Sequence, residues 1–439
     1  MSLFGGRLGL LAMPKRRRRI VVAVLLLAVA VLVWHALPRL SAMAFILRVA
    51  KSEGILASLA RLPAGEFSEE PVFALPTRHG PVPARKYLPS KPARRTTLLV
   101  PGVHMDGIHE ARLVGLAKEL AATGLAVLTV APPDLARYRV TTKTVDELED
   151  AIAWAASQAE LAPDGKVGIT AFSFAGGLAL VAAGRPAVKE RVAFAFSFGG
   201  HADLLRVLRY LCVEGEAPSV LPEEAGRLAT GGEHIHIPKP HDYGGVVALL
   251  NLADFDGNPE RVPMPSRAAP LPAKLAGSAR ERLVPAPQVQ PLQAAITLFL
   301  QASSIDRLDH ARAREVFAEA RHLGEAMPEP SRTLMKHVSE REVVPLGRAL
   351  SPLLAGLDLP AALSPERSPL PSAPVFLLHG ADDSVVPASE MLSLVRKLGA
   401  QARVHAFASR LITHAEANRR AALVEMWQLA GFWRELMAL

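Results

Sequence analysis

A chain of 439 residues, half of them apolar, with 31 glycines and 36 prolines in no repeating period, can bury a large core and excludes a fibre, a solenoid or a disordered tail. The net charge of +8 is local: nine of the 50 lysines and arginines lie in residues 1–51, which hold no acid, leaving 41 basic against 42 acidic residues and no nucleic-acid footprint. A single cysteine, Cys212, excludes an intramolecular disulfide and a thiolate metal site.

The first patterned segment is Lys15-Arg16-Arg17-Arg18-Arg19 followed by the apolar run Ile20 to Trp34. Basic residues ahead of an apolar run predict an uncleaved, single-pass membrane anchor with the body on the non-cytoplasmic side. Ala42-Met43-Ala44 has the small-x-small form of a cleavage site, so a cleaved signal with a secreted or periplasmic body is the alternative. Residues 1–44 are thus set apart as a basic N-terminus and membrane or signal segment. Residues 45–94 read as a juxtamembrane and linker region, with a helix over 45–65 and proline-rich extended chain after it.

From 95 the pattern alternates strand and helix. Thr97–Val100 is a short buried strand ending at Pro101-Gly102. Leu113, Leu116, Ala117 and Leu120 share a helical face that Gly124 stops. Leu125–Val130 is the next strand, and Thr144 with Glu147 forms a capping box for a helix reaching about Ala159. Lys166–Thr170 and Val192–Phe196 are further strands, separated by the alanine- and leucine-rich stretch Gly176–Gly184. Crossovers of this length imply a mostly parallel sheet. The rhythm breaks at 201 and resumes near 374, too long an interval for a loop, and helical patterns at 202–211, 289–304 and 305–323 make it a largely helical cap insertion. Val375–Leu378, a helix over 388–399, Ala402–Phe407 and a closing helix over 415–437 complete the body. The core therefore falls in two parts, 95–200 and 374–439, around a cap at 201–373.

Ser173 stands in Ala171-Phe172-Ser173-Phe174-Ala175-Gly176-Gly177, between a strand and a small-residue helix, which is the context of a nucleophile elbow. Alanine replaces the usual glycine two residues either side of the serine, which predicts a mild distortion. Ala195-Phe196-Ser197-Phe198-Gly199-Gly200 nearly repeats the motif at the end of the following strand; Ser197 is the alternative nucleophile and otherwise reads as a close-packed turn residue lining the substrate pocket.

The arrangement resembles the α/β-hydrolase superfamily over roughly 95–437 apart from the insertion, with serine, acid and histidine in that family's chain order. The resemblance implies an α/β fold with a mostly parallel sheet, helices on both faces and a helical cap. It implies Ser173 as nucleophile, His414 as base and Asp383 as the acid, chosen by its spacing to Val386-Pro387, with the neighbouring Asp382 as the alternative. It also implies backbone amides of Val103 and Phe174 as oxyanion donors. His104 and Asp106, beside that turn, become substrate-pocket candidates. His234-Ile235-His236, His241 and Asp242 lack a fixed metal-ligand spacing, and no dinucleotide or phosphate-loop motif is present, so neither metal nor cofactor is expected. The expected function is a membrane-associated serine hydrolase, carboxylesterase-like, cleaving a small-molecule or lipid-like ester through an acyl-enzyme. Amidase or acyltransferase chemistry, and a noncatalytic binding or scaffold domain, are the alternatives.

Overall fold

The computed structural model describes residues 15–50, 64–212, 238–253, 283–306, 309–355, 357–399, 402–410 and 419–438. It divides into two compact units: residues 1–63 with 420–438, and residues 64–419.

The smaller unit holds α1 (Lys15–Val49) and, at the other end of the chain, the last helix, Arg419–Met437. Here the structure corrects the membrane reading. Among the described residues no helix is long and apolar enough to cross a membrane. The physical reason is visible in α1. Its apolar run from Ile20 to Trp34 rises only about 22 Å, against a hydrocarbon core of about 30 Å. Pro38 and Arg39 follow, and Ala42, Ala44, Phe45 and Leu47 are buried in protein. Phe45 packs at 4.9 Å on the Trp433 ring, and the Arg39 guanidinium lies 5.2 Å over Trp427. Ala42-Met43-Ala44 is helical interior. The membrane partner, the membrane-associated function, and the single-pass topology that placed the body on the non-cytoplasmic side fall with the anchor.

Among the described residues the larger unit is built on a nine-stranded sheet. β1 (Phe67–Glu69) and β2 (Phe73–Leu75) both pair antiparallel with β3 (Val82–Pro89), as one edge strand interrupted around Pro71, which has no N–H to give the ladder. The stretch read from sequence as proline-rich extended chain is thus the sheet's antiparallel edge. β4 (Thr96–Val100), α2 (Ala111–Ala122), β5 (Ala126–Val130), α3 (Thr142–Ser157), β6 (Val167–Phe172), α4 (Phe174–Gly184) and β7 (Val192–Phe198) follow. After the cap come β8 (Val375–Gly380), a helix at Ser389–Leu398 and β9 (Val404–Ser409). The order is β1-β3-β5-β4-β6-β7-β8-β9, parallel from β5 through β9. This mostly parallel sheet, flanked by helices and carrying a helical cap between β7 and β8, is the α/β-hydrolase fold.

β4 and β5 are buried at every residue, as continuous apolar runs enclosed by helices must be. The buried hydroxyls of Thr97 and Thr170 meet at 3.0 Å across β4 and β6 and so satisfy each other. The cap of α3 lies three residues before its predicted place: Thr141 accepts the Thr144 N–H, and Glu147 is not a capping residue but a buried side chain.

The cap holds α5 (Leu204–Leu211), α6 (Asp242–Leu252), α7 (Ala286–Ile305), α8 (His310–Glu325), α9 (Ser331–Ser339) and α10 (Val343–Ala355) among the described residues. Where the chain leaves the core, the buried Glu390 carboxylate accepts the N–H groups of Ala202 (2.8 Å) and Asp203 (2.9 Å) and pairs with Arg206. That charge-assisted junction fixes the first cap helix to the helix after β8.

Candidate active site

The parallel strands end in step. Phe172 of β6 pairs with Phe198 of β7, which pairs with Leu378 of β8, so the residues that follow these three share the carboxyl edge of the sheet. Ser173 is the first residue past β6. Its φ of 53° and ψ of −137° are a conformation that non-glycine residues adopt only at a cost of about 1–3 kcal/mol. The turn is held from both sides: Ser173 N–H donates to Phe198 O at 2.7 Å, and Gly176 N–H donates to Ser173 O at 2.8 Å. Ser173 is half-buried while every residue of α4 behind it is buried.

Alanine at 171 and 175 does not produce the distortion expected from sequence. Neither has a positive φ, and Ser173 alone in the elbow takes that conformation. Close approach is met elsewhere. A Cβ on Gly176 would lie 2.5 Å from Ser197 Oγ and 3.0 Å from Gly200 Cα, so that glycine lets α4 sit on the end of β7. Ser197 is therefore beneath the elbow, not in front of it. It is buried, with no hydrogen-bond partner for its hydroxyl among the described residues.

Pro101-Gly102-Val103 runs past the same serine. A Cβ on Gly102 would stand 3.3 Å from Ser173 Cβ and 3.5 Å from Phe172 O. Phe174 thus follows Ser173 directly in the chain, and Val103 follows the glycine that packs against it. Phe174 opens α4, where the first amides have no intrahelical acceptor and the helix dipole favours negative charge. His104 and Asp106 continue the turn: Asp106 N–H donates to His104 Nδ1 at 3.3 Å, and His104 N–H to Leu135 O at 3.2 Å.

Asp383 lies on the loop after β8. One oxygen, Oδ1, accepts the N–H groups of Val385 (2.9 Å) and Val386 (3.0 Å), which orients the carboxylate. The other, Oδ2, faces Gly199 at the end of β7, 3.4 Å from where a Cβ would be. Asp382 is exposed. His414 lies outside the described residues, as do His234 and His236; β9 ends at Ser409, two residues later than predicted. His201, near the elbow, is fully buried; burial holds its imidazole below the usual range, and its Nε2 lies 2.8 Å from Leu363 O.

Sequence reasoning missed the cap's contribution. Tyr243 on α6 donates its hydroxyl to Val103 O at 3.4 Å, and His241 N–H donates to Ser384 O at 2.9 Å. One end of α6 thus touches both the turn after β4 and the loop after β8. Tyr210 of α5 donates to Pro238 O at 2.7 Å and reaches Ser384 O at 3.5 Å; burial, then the Asp383 charge, push its phenol up and keep it a donor. The signal for α6 was the apolar run Val246–Leu250 after His241-Asp242, obscured by Gly244-Gly245.

Neither a protein-family model nor a curated protein matches the sequence. Solved structures similar to it include brefeldin A esterase, described as a bacterial homologue of human hormone-sensitive lipase. That pair shares 12% identity over 92% of this chain and 86% of the other, with a TM-score of 0.38. Carboxyl esterase 2 from Tuber melanosporum has 12% identity over 84% and 88% at 0.38, and the Pyrobaculum calidifontis esterase 14% over 90% and 91% at 0.37. No activity is carried over at this level of likeness.

Proposed function

We propose that the protein is a serine hydrolase that cleaves a small-molecule carboxylic ester through an acyl-enzyme on Ser173. The observation that carries the reading is the backbone of Ser173 itself, a serine at φ 53° on a strand-to-helix turn with the Gly102 turn against it. Evolution of a strained, half-buried serine at the mouth of a sheet has little structural use, since glycine would adopt the turn at no cost.

In this reading Ser173 Oγ attacks the ester carbonyl as His414 takes its proton, because a serine hydroxyl is a poor nucleophile until a base receives that proton. Asp383, aimed by the Val385 and Val386 amides, orients the histidine and stabilises its cation. The Phe174 and Val103 N–H groups receive the developing oxyanion, each contributing about 3 kcal/mol to the transition state. The C–O bond to the leaving alcohol breaks as His414 returns the proton. Water, activated by the same base, then releases the acid. Ser197 takes no part.

Intact-protein mass after reaction with a fluorophosphonate tests this. We expect one adduct, lost in Ser173→Ala and kept in Ser197→Ala, together with turnover of a short-chain p-nitrophenyl ester. An adduct lost only in Ser197→Ala sinks the assignment. Absence of both adduct and turnover in folded protein favours a binding role for the fold.

A further inference from the structure

The cap carries a basic cavity that the proposed ester hydrolysis does not use. A cavity of about 290 Å³ opens between α7, α8 and the turn after α9, lined by Phe299, Arg314, Phe317, Arg321, Ser339 and Arg341. No acidic residue lines it. Arg314, Phe317 and Arg321 recur at helical spacing and so share one face of α8.

The three guanidiniums differ in how they are held. Arg341 takes a positive φ of 57°, and its guanidinium lies 5.8 Å from the Phe299 ring and 5.5 Å from the Phe317 ring, which themselves meet at 5.1 Å. It also donates to Asp242 Oδ2 at 3.0 Å. A strained backbone, two rings and a carboxylate thus fix Arg341, whereas Arg314 and Arg321 have no ion-pair partner among the described residues. With Asp242 offsetting one charge of three, the cavity presents a surplus of about two positive charges on planar donor groups. The three arginines are exposed, so solvent screens their mutual repulsion, but the surplus charge draws anions to the concavity and matches a dianion rather than a lone carboxylate.

We propose that this cavity binds the phosphate dianion of a small molecule, with Arg314 and Arg321 forking the phosphate oxygens, Arg341 and Ser339 completing the ring of donors, and the Phe317 edge beside any attached organic group. The chemistry is shared by free phosphate and by a phosphate monoester, and the volume admits either. The site is independent of the ester-hydrolase reading: it involves neither Ser173 nor its loops.

Calorimetric titration of the full-length protein with inorganic phosphate and with phenyl phosphate, at constant ionic strength, tests the site. We expect saturable one-to-one binding of at least one probe, weakened at least about ten-fold in the Arg314→Gln/Arg321→Gln double variant. Arg312→Gln, an exposed arginine of the same helix outside the cavity, should leave affinity within about two-fold, as should Ser173→Ala. Phenyl phosphate bound more tightly than phosphate assigns the site to an ester; the reverse assigns it to free phosphate. No saturable binding by either probe, equal weakening in Arg312→Gln, or loss in Ser173→Ala overturns the proposal. Unchanged thermal unfolding of the double variant shows that its loss of binding is local.

Discussion

The carboxyl edge of the sheet carries Ser173 and the cap touches the turn after β4 and the loop after β8, but the two are held in different ways. At the edge, position is set by backbone: Ser173 N–H to Phe198 O, Gly199 N–H to Leu378 O, and the Asp383 carboxylate on two amides. These bonds follow from strand register and leave little room for adjustment. The cap reaches the neighbouring turn and loop through two isolated bonds, the Tyr243 hydroxyl on Val103 O and the His241 backbone N–H on Ser384 O. In the proposed reaction the edge would determine whether chemistry happens, and the cap would modulate what is accepted and how fast. A large loss from a cap substitution, or a small one at the edge, breaks that division.

The largest effect belongs to the edge. Ser173→Ala should lower kcat/KM for a p-nitrophenyl ester by at least about 10⁴-fold while leaving the unfolding free energy within about 0.5 kcal/mol of the parent. Residual activity within ten-fold of the parent would place the nucleophile elsewhere.

Next is a buried charge on the sheet side. Glu147 is buried on α3, with Lys143 Nζ at 3.7 Å and one carboxylate oxygen without a partner among the described residues. Burial pushes its carboxyl up to about 7, against opposing attraction from Lys143 and with added repulsion from Asp134. The folded state thus holds a proton that the unfolded state releases near the usual carboxylate value, so stability is highest below about 4.5 and falls as pH rises through about 7, by up to about 3 kcal/mol. Glu147→Gln should flatten that decline in urea melts from pH 5 to 8; an unchanged slope means that the side chain is hydrated.

How each region was read from sequence follows the same division. The strands and the elbow were legible because β4, β5 and β6 are short, largely apolar runs, the first two closed by proline within two residues, and because Ser173 sits where a strand pattern changes to a helix pattern. Ser197, which nearly repeats the motif, was set below Ser173 by its place at the end of the following strand, but its position beneath the elbow is a matter of burial, which the period of a strand does not report. The apolar run of α1 was legible as a run, but its partners were not: Phe45 and Trp433 are nearly the whole chain apart, so nothing local distinguished a protein-packing helix from a membrane span. In the cap, α6 was hidden by Gly244-Gly245. Glycine lowers helix propensity locally, and the reason for it, Leu211 lying 2.2 Å from where a Gly244 Cβ would be, is tertiary.

That contrast can be sharpened with two glycines in helices. A Cβ on Gly184, at the end of α4, would meet the backbone oxygen of Pro369 at 2.1 Å, an obstacle that cannot rotate away. On Gly244 the obstacle is the tip of a leucine side chain. Gly184→Ala should cost about 2 kcal/mol, whereas Gly244→Ala should stay within about 1 kcal/mol because leucine repacks and alanine gains helix propensity. Denaturant midpoints at constant slope measure both, and equal losses would show the cap to be as rigid as the sheet.

The smallest effect tests the bond that joins the two regions. Tyr243→Phe removes one hydroxyl and keeps the ring that packs edge-on against Tyr138, with centroids 6.4 Å apart. The lost bond, 3.4 Å long, is weak, and Val103 O remains able to accept from water, so stability should fall by less than about 1 kcal/mol. What the hydroxyl does is hold the peptide after Val103, next to the amide proposed to receive the oxyanion. Loosening that turn costs the transition state more than the bound ester, so kcat should drop about three- to ten-fold with KM nearly unchanged. A rise in KM at constant kcat would instead make Tyr243 a wall of the ester pocket, and no change in either would confine the cap's influence to the acid loop.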